Sequence, residues 1–462
     1  MIRVPRWLRA SLAALTLTAA ALPAAAEEAS GEGATVVLWH SYRGAEKRAL
    51  EAVIRRINDE RQDLRIQPLA VPHDGYANKL TSAIPRGHGP DLFVFAHERI
   101  GGWAEGGLLM RLDPEVDRSE LDRFFDETVE PLWYEGGLYG LPLDFKSAVL
   151  FYNTDLVEAP PESTEELLDL ARRLTDESAG RFGLVYATSN FYLHAAWLHG
   201  FGGSIVGDDG AVHLDSEANA ASLTFARDLV RRHRVCPEET SGSLVTELFN
   251  DGRAAMVING PWFLGEIGDV PYAVAVLPVV SETGQRARPL LTSEAVIMSA
   301  GARDREAALE AMRLLVGTES AVTRAVTGRQ AVATREAWED QRVASDEVLS
   351  VFRAQLPETV AMSNRPEMRS AWEPAEMAMR QVMRGAAEPS EALATAQHHY
   401  QVLVRPPPPA ADPTFYGAAA ALLLIVGLFF FVRHARRRGL AGEVRAGRHA
   451  YAYIAPTAAA VV

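Results

Sequence analysis

The feature that most restricts the fold is an alternation of short apolar runs with helical patterns near the amino terminus. Apolar runs typical of buried strands lie at Thr35 to Trp39, Leu64 to Leu69 and Asp91 to Phe95. Two predicted helices lie between them, at Glu46 to Arg61 and at Tyr76 to Ile84. This βαβαβ order predicts the α/β class, with helices covering the faces of a mostly parallel sheet.

Polar residues follow two of these strands, at the edge where open parallel sheets hold ligands. They are the loop from His40 to Gly44 and the cluster of His97, Glu98 and Arg99. A guanidinium beside a carboxylate suits the neighbouring hydroxyls of a sugar, and Phe95 supplies an apolar face for the ring. A surface ion pair at the end of a strand is the alternative interpretation of this cluster.

A second run of alternating elements predicts a second domain, and 462 residues are enough for two domains and additional segments. It begins with a strand at Ala148 to Tyr152 and a helix that starts at Ser163-Thr-Glu-Glu166, a capping box. Further strands are predicted at Phe182 to Tyr186 and at Ala254 to Ile258.

Charge and cysteine content exclude some functions. The formal net charge is −14, which argues against a nucleic acid partner. Cys236 is the single cysteine, so no internal disulfide and no thiolate metal cluster can form. No histidine falls in a recognisable metal-ligand pattern, and we expect neither a metal nor a cofactor.

Residues 1–26 have the pattern of a signal peptide. Arg3, Arg6 and Arg9 precede an apolar stretch, and Ala24-Ala25-Ala26 offers a cleavage site. The mature chain is therefore expected to begin near Glu27, outside the cytoplasm. No cysteine lies near this site, so an amino-terminal lipid anchor is not expected.

The carboxyl-terminal segments predict a membrane anchor. Residues 405–414 form a proline-rich linker around Pro406-Pro-Pro-Pro409, and Phe415 to Val432 carries no charge or proline. Four arginines between 433 and 438 place the far end of this predicted transmembrane helix in the cytoplasm. Residues 433–462 then form a basic cytoplasmic tail, in which a second apolar run begins at Arg448 and reaches Val462.

Four stretches match one family in the same order. They are Asp91 to Leu109, Leu141 to Asn153, Ala255 to Trp262 with Val276-Leu-Pro278, and Met362 to Met368 with Trp372. Together the matches cover about residues 35 to 403. In these motifs the chain resembles the periplasmic maltose/maltodextrin-binding proteins, the solute receptors of ABC importers.

The resemblance implies a two-lobed Venus-flytrap fold with mixed, mostly parallel sheets. It assigns residues 35–144 and 292–334 to lobe 1, and residues 147–290 and 337–403 to lobe 2. The chain would cross between the lobes near Asp144 to Ser147, Val280 to Leu291 and Thr334 to Trp338.

The resemblance also implies a set of ligand-binding residues. Phe95, Tyr192, Trp262 and Trp372 would be aromatic platforms, and Glu98 and Arg99 would bond sugar hydroxyls. The further expected ligand-binding residues are Arg43, Ala96, Lys146, Asn190 and Met362. Arg43, Lys146 and Asn190 stand where the family has acidic residues, so the sugar need not be maltodextrin.

By resemblance, we expect a membrane-tethered, extracytoplasmic sugar receptor that delivers maltose/maltodextrin-like oligosaccharides to ABC permease subunits. The run that begins at Arg448 is similar to the start of a sugar permease subunit, which suggests a fusion. A glycoside hydrolase using Asp91, Glu98 and Asp144 is one alternative, although nothing in the sequence fixes two carboxylates across a bond. A one-pass carbohydrate sensor is the other alternative.

Overall fold

The computed structural model describes residues 33–207, 210–406 and 413–438, together with residues 442, 446 and 447. The chain divides into two compact units, residues 1–404 and residues 405–462. The predicted signal peptide, most of the proline-rich linker and the apolar run from Arg448 lie outside the described residues.

Among the described residues, the first unit contains every strand and all helices but one long helix. The strands are β1 (Ala34–His40), β2 (Leu64–Ala70), β3 (Leu92–Ala96), β4 (Trp133–Tyr134), β5 (Gly137–Leu138), β6 (Gly140–Lys146), β7 (Val149–Asn153), β8 (Phe182–Val185), β9 (Ala254–Asn259), β10 (Tyr272–Ala275), β11 (Val279–Val280), β12 (Gln285–Arg286), β13 (Leu290–Met298) and β14 (Val360–Ala361). The helices are α1 (Gly44–Glu60), α2 (His73–Ala83), α3 (Ile100–Glu105), α4 (Arg118–Leu121), α5 (Asp126–Val129), α6 (Thr164–Leu174), α7 (Phe191–Gly200), α8 (Glu217–Arg231), α9 (Gly242–Asn250), α10 (Arg305–Val316), α11 (Thr318–Gly328), α12 (Gln341–Ala344), α13 (Glu347–Gln355), α14 (Pro366–Met383) and α15 (Pro389–Leu403). Short 3₁₀ helices include His97–Arg99 and Pro261–Gly265.

Two main sheets divide this unit into two lobes. The first sheet has the strand order β14-β13-β3-β1-β2, and β6 also pairs with β13. The second sheet has the order β10-β7-β9-β8. Helices pack beside both sheets, so the predicted two-lobed α/β fold is confirmed.

The strand directions differ in part from the prediction. In the first sheet β1 is parallel to β2 and β3, as the βαβαβ pattern predicts, whereas β13 is antiparallel to β3 and β6. In the second sheet β7 is antiparallel to both β9 and β10, and only β8 and β9 are parallel. The second sheet is therefore mainly antiparallel.

Each lobe has its own hydrophobic core. The apolar face predicted for the first helix is buried against the first sheet, through Leu50, Val53, Ile54 and Ile57 of α1. The second core forms around Trp197 and Met256. In the second lobe Ser163 caps α6 as predicted, since its side chain accepts a hydrogen bond from the Glu166 amide at 3.2 Å.

The chain passes between the two sheets several times. β6 ends at Lys146 in the first sheet and β7 begins at Val149 in the second. β14, which lies within the segment predicted for lobe 2, pairs with β13 at the edge of the first sheet. A third apolar cluster combines Phe151 and Phe263 of the second lobe with Ala325 of α11. The predicted lobe boundaries stay predictions.

The second unit contains α16 (Pro413–Arg437), which includes the predicted transmembrane segment. It is the one helix in the described part of the chain that is long and apolar enough to cross a membrane. None of its described side chains is buried. Length and composition therefore permit a membrane span here.

Candidate functional site

A cavity of about 580 Å³ lies between the two lobes. Its first wall is the loop after β1 with the start of α1, residues 41–46, together with residues from β6 and β13. Its second wall comes from the 3₁₀ helix Pro261–Gly265, which follows β9. Both walls follow the carboxyl ends of strands, where the sequence predicts ligand contacts.

Trp262 is the main aromatic side chain of this cavity. It is 45 % exposed. Pro261 begins the 3₁₀ helix, and Phe263, which follows Trp262, is buried in the core. The side chain of Trp262 is therefore directed outward. The ring of Tyr192 meets the indole nearly edge-on, with centroids 5.8 Å apart. The indole therefore presents apolar surface to the cleft from a supported position.

Gly260 allows the indole to lie where it does. A Cβ at this position would be 2.2 Å from Cη2 of Trp262, a distance at which the ring must move. We expect Gly260→Ala to displace Trp262 and to weaken ligand binding about tenfold, or about 1.4 kcal/mol. Calorimetric titration of ligand would measure this loss. The matched control is Gly268→Ala, whose Cβ would meet Asn250 at an ordinary 3.7 Å, and equal affinities in the two variants would contradict the prediction.

The opposite wall is a hydrogen-bonded network around Asp144. The Tyr42 hydroxyl donates to Asp144 Oδ2 at 2.9 Å, and Gln330 Nε2 donates to the same oxygen at 2.8 Å. Arg324 is fully buried and lies 3.9 Å from this oxygen, and its guanidinium donates to the Leu143 carbonyl at 2.9 Å. Burial and the nearby Glu294 carboxylate raise the pKa of Asp144 well above its usual value.

Lys146 links two further carboxylates at the cavity. Its Nζ lies 3.0 Å from Glu294 and 3.3 Å from Glu46, which is in the first turn of α1. Burial alone would lower the pKa of Lys146, but the carboxylates of Glu294, Glu46 and Asp144 outweigh it and raise that pKa. Burial raises the pKa of Glu46, and Lys146 opposes that rise. The lysine is thus a permanent cation among three acidic groups.

Two enclosed acceptor atoms of this wall have no hydrogen-bond partner among the described residues. They are Asp144 Oδ1 and Gln330 Oε1, whereas Glu294 Oε2 lies 3.0 Å from Lys146 Nζ. Enclosed acceptors of this kind are costly unless a donor reaches them. The cavity thus offers an apolar aromatic surface on one side and acceptors that require hydroxyl or amino donors on the other.

The structure places the predicted ligand-binding residues in two groups. Arg43, Lys146 and Trp262 line the cavity between the lobes. Asn190 lies beside Trp262 in an adjoining cavity of about 550 Å³. The second group surrounds the 3₁₀ helix His97–Arg99 and α14, outside these two cavities, and it comprises Phe95, Ala96, Glu98, Arg99, Tyr192, Met362 and Trp372.

His97 links Met362 of the second group to β13 of the first sheet. The Nε2 atom of His97 lies 2.5 Å from the carbonyl oxygen of Met362, and its Nδ1 accepts a hydrogen bond from the Ser293 amide at 2.9 Å. Burial lowers the pKa of His97 to about 4. The neighbouring Glu98 has an enclosed Oε2 without a hydrogen-bond partner in the described chain, and burial raises its pKa to about 6.

Aromatic residues of the second group are partly engaged in packing. Phe95 is half-buried and its ring contacts Trp103 at a centroid distance of 4.8 Å. Trp372 meets Phe191 edge-on at 5.4 Å, and its indole nitrogen donates to Glu376 at 3.2 Å. The Tyr192 hydroxyl donates to the carbonyls of Lys146 and Leu290, both at 3.2 Å. Tyr192 therefore connects α7 to the crossing segments as well as supporting Trp262.

The amino-acid sequence also matches a known family. The profile of the bacterial extracellular solute-binding protein family matches residues 43–322, more than half of the chain. The chain belongs to this family. Members of this family are solute receptors, so family membership places this protein among receptors rather than enzymes.

Two curated relatives of this solute-binding protein are named for oligosaccharides. It is 25 % identical over 352 residues to the maltotriose-binding protein of Pyrococcus abyssi (strain GE5 / Orsay), covering 75 % of this chain and 77 % of that protein. It is 25 % identical over 384 residues to the galactooligosaccharide-binding protein of Bacillus subtilis (strain 168), covering 80 % of this chain and 89 % of that protein. Among solved structures, a cyclo/maltodextrin-binding protein complexed with maltotetraose is similar, with a TM-score of 0.74, 25 % identity, and coverage of 82 % of this chain and 99 % of that one.

Sequence reasoning missed most of the first-lobe wall of this solute-binding protein. The missed residues are Tyr42, Glu46, Glu294 and Gln330. The loop after β1 was a recognisable signal for Tyr42, because it follows a buried strand. Glu294 and Gln330 had no local signal, since each reaches the cavity only through pairing or packing between distant segments.

Asp91, one of the three acids considered for a glycoside hydrolase, has structural partners here. Asp91 is 2 % exposed and accepts hydrogen bonds from the Val37 amide and from Arg303. It therefore joins β1 to the segment before α10 instead of facing the cleft. No group of three or more His, Cys, Asp or Glu side chains that could hold a metal ion occurs among the described residues.

Proposed function

We propose that this solute-binding protein is the oligosaccharide receptor of an ABC importer. The sugar would occupy the cavity between the lobes, where Trp262 faces the Tyr42–Asp144–Lys146 wall. The family, the oligosaccharides named for its relatives and the chemistry of the cavity all support this proposal.

One observation carries the proposal, namely an exposed indole opposite enclosed acceptors that lack donors. A pyranose has C–H groups on its faces and hydroxyls around its rim, so it complements both walls at once. Its hydroxyls would donate to Asp144 Oδ1 and Gln330 Oε1. A neutral sugar fits better than an anionic one, because these oxygens would repel a carboxylate or phosphate.

The differences from the maltodextrin receptors bear on which sugar is bound. The ammonium of Lys146 is engaged by Glu46 and Glu294, so the acceptors left for a ligand on this wall are Asp144 Oδ1 and Gln330 Oε1. Arg43 and Asn190 both leave donors for the ligand. We propose a maltodextrin-like or other neutral oligosaccharide, whose ring orientation these donors set.

We further propose that the second group of residues joins the site when the lobes close. Glu98 offers an enclosed acceptor without a partner in the described chain, and Arg99 has no hydrogen bond or ion pair with the described residues. Phe95, Met362 and Trp372 supply the apolar surface beside them. Ligand would favour closure only to the extent that it binds the closed arrangement better.

Titration of the protein with mono- and oligosaccharides tests this function. We expect binding of at least one neutral oligosaccharide from the glucose or galactose series, accompanied by a change in tryptophan fluorescence. Release of monosaccharides during prolonged incubation would favour a hydrolase instead. Absence of binding throughout both series would overturn the proposal.

We also propose that α16 anchors the receptor in the cytoplasmic membrane. Its apolar side chains are exposed, and Arg433, Arg436, Arg437 and Arg438 follow the apolar stretch. The amino-terminal lobes would then lie outside and the basic tail inside. Such a tether would raise the local concentration of receptor at its permease.

Removal of residues 405–462 tests the anchor. The full chain is expected to sediment with membranes and to resist extraction by high salt, whereas the shortened chain should be released in soluble form. A matched control replaces residues 415–432 by an unrelated apolar transmembrane sequence, which should restore membrane association. Release of the full chain by high salt alone would contradict the anchor.

Residues 433–462 are proposed to be the beginning of a permease-like segment. The support is the similarity of the run from Arg448 to the start of a sugar permease subunit. An antibody to the receptor lobes should then detect a gene product larger than 462 residues in native cells. A natural stop codon directly after Val462 would contradict the fusion.

A further inference from the structure

A small cavity in the second lobe is lined by three arginines. Its volume is about 90 Å³, and it lies between the end of α6, the start of β8 and the turn before β9. The three are Arg173, Arg181 and Arg253, and none of the described residues that line it is acidic. We call it the arginine pocket. It shares no lining residue with the cleft or with the cavity of about 550 Å³ beside it.

Two of the three guanidinium groups are held in place by their surroundings. Arg253 donates from Nε to the Gly180 carbonyl at 3.1 Å. A Cβ at Gly180 would approach Arg253 Nη2 to 2.5 Å, so the glycine makes room for this guanidinium. Arg181 donates from Nη2 to Asp176 Oδ2 at 3.4 Å. The other guanidinium nitrogens of both arginines have no hydrogen bond within the described chain, so they are available to a ligand.

Arg173 is the third cation of the pocket, and it has no hydrogen bond or ion pair with the described residues. It lies exposed in the last turn of α6. The preceding residue, Arg172, is different, because it lies 3.6 Å from Asp169 and 2.8 Å from Nδ1 of His233. Arg173 is thus held by no group of the protein itself, although it lines the pocket.

The charges around the arginine pocket are incompletely balanced. Asp176 pairs with Arg181, and Asp251 lies 4.0 Å from Arg253, beyond hydrogen-bond distance. No carboxylate compensates Arg173 in the described chain. Like charges that share one small cavity repel each other, and an anion between them removes this repulsion. The arrangement therefore favours a negatively charged ligand.

The shape of the pocket narrows the choice of anion. Arginine donates pairs of N–H groups in a fixed plane that matches the oxygens of a phosphate group. A tetrahedral phosphate presents oxygens in several directions at once, so it can meet three guanidinium groups from different elements. Leu174 and Phe182 also line the pocket and limit its depth. A volume of about 90 Å³ suits one phosphate group, in contrast to the cleft of about 580 Å³.

We propose that the arginine pocket binds a single phosphate group, either as inorganic phosphate or as the headgroup of an anionic lipid. A receptor anchored through α16 would encounter both sources outside the cytoplasm. This site is independent of the cleft, because none of its residues contributes to the sugar site. Its ligand is an anion, whereas the ligand proposed for the cleft is neutral.

Titration of the full chain with inorganic phosphate tests the pocket. The protein in a non-ionic detergent is titrated by calorimetry, with chloride keeping the ionic strength constant. We expect saturable binding of one phosphate per chain, and Arg173→Gln should weaken it about tenfold, since a charge-assisted hydrogen bond is lost. The same affinity in Arg173→Gln and in the unaltered chain, or displacement of phosphate by an equal concentration of chloride, would overturn the site.

Arg172→Gln is the matched control for Arg173→Gln. It removes the same charge from the neighbouring position of α6, but Arg172 does not line the pocket. The control should keep the affinity for phosphate, and both variants should keep the affinity for sugar. Thermal unfolding should show that both variants are folded. A loss of phosphate binding as large in Arg172→Gln would indicate a general effect of charge and would contradict the pocket.

Nanodiscs distinguish the two sources of phosphate. The full chain is placed in nanodiscs of phosphatidylglycerol or of phosphatidylcholine, and hydrogen exchange is measured over residues 173–182. Slower exchange in phosphatidylglycerol that is lost in Arg173→Gln identifies the anionic headgroup as the ligand. Equal exchange in both lipids, together with binding of phosphate in solution, identifies the soluble ion. Absence of both effects would show that the pocket binds no phosphate.

Discussion

Replacing Trp262 with alanine is expected to weaken oligosaccharide binding about a hundredfold, equal to about 2.7 kcal/mol. The indole is 45 % exposed at the cleft, and it is the aromatic surface that faces the acceptors around Asp144. Its removal takes away the apolar contact for the sugar ring and opens the cleft to water. The expected change in the free energy of unfolding is small, because so much of the side chain is already exposed.

Trp133→Ala is the matched control for this variant. Trp133 is half-buried and packs against the core of the first lobe, away from the cleft. Its loss should lower the unfolding temperature while the dissociation constant for sugar stays the same. Calorimetric titration and thermal unfolding of both variants measure the two effects. Unchanged sugar affinity in Trp262→Ala would remove the central contact of the proposed site.

Lys146→Met is expected to reduce the free energy of unfolding by about 3 kcal/mol at neutral pH. The lysine lies between Glu46 and Glu294, with Asp144 close by, and its side chain is 19 % exposed. Without the lysine, Arg324 is the one buried cation left beside the carboxyl groups of Glu46, Glu294 and Asp144 in the described chain. Methionine has a hydrophobic side chain of similar length and preserves the packing. The decrease in the free energy of unfolding therefore reflects the removal of the charge.

The effect of Lys146→Met should depend on pH. Burial raises the pKa of Glu46 and of Asp144 in the folded protein, and Lys146 opposes the rise at both. Without the lysine these pKa values rise further, so the folded variant keeps protons that the unfolded chain releases. Stability of the variant therefore falls as pH increases from about 4 toward neutral, and its deficit is smallest at acidic pH.

Denaturant unfolding at several pH values measures this dependence. The matched control is Lys47→Met, since Lys47 is exposed and its ion pair with Glu51 at 3.7 Å contributes little. That variant should change stability by less than about 0.5 kcal/mol at every pH. A deficit of Lys146→Met that stays constant from acidic to neutral pH would contradict the electrostatic explanation.

In the proposed closure of the lobes, the Lys146 cluster would connect the sugar site to the crossing between the sheets. Its backbone carbonyl accepts from Tyr192 of the second lobe, while its ammonium holds carboxylates of the first lobe. β6 ends at this residue, next to a crossing between the sheets. A sugar bonded to Gln330 would therefore lie close to the segments that we propose to bend during closure.

The sequence by itself determined the elements and the family. Local periodicity identified the first three strands and α1, because burial of one helix face or of a whole strand leaves a pattern within a few residues. The motif ending in Trp262 was identified by its resemblance to the family. Its neighbours Pro261 and Phe263 direct the side chain outward, while Tyr192 from the distant α7 supports the ring.

Only the tertiary structure decided how the first-lobe wall is built. Glu294 reaches Lys146 because β13 pairs antiparallel with β6, and Gln330 reaches Asp144 from the segment after α11. Strand pairing across about 150 residues leaves no local signature, since each partner shows only its own apolar pattern. For the same reason Asp91 resembled a cleft acid in the sequence, whereas packing against Arg303 makes it a structural residue.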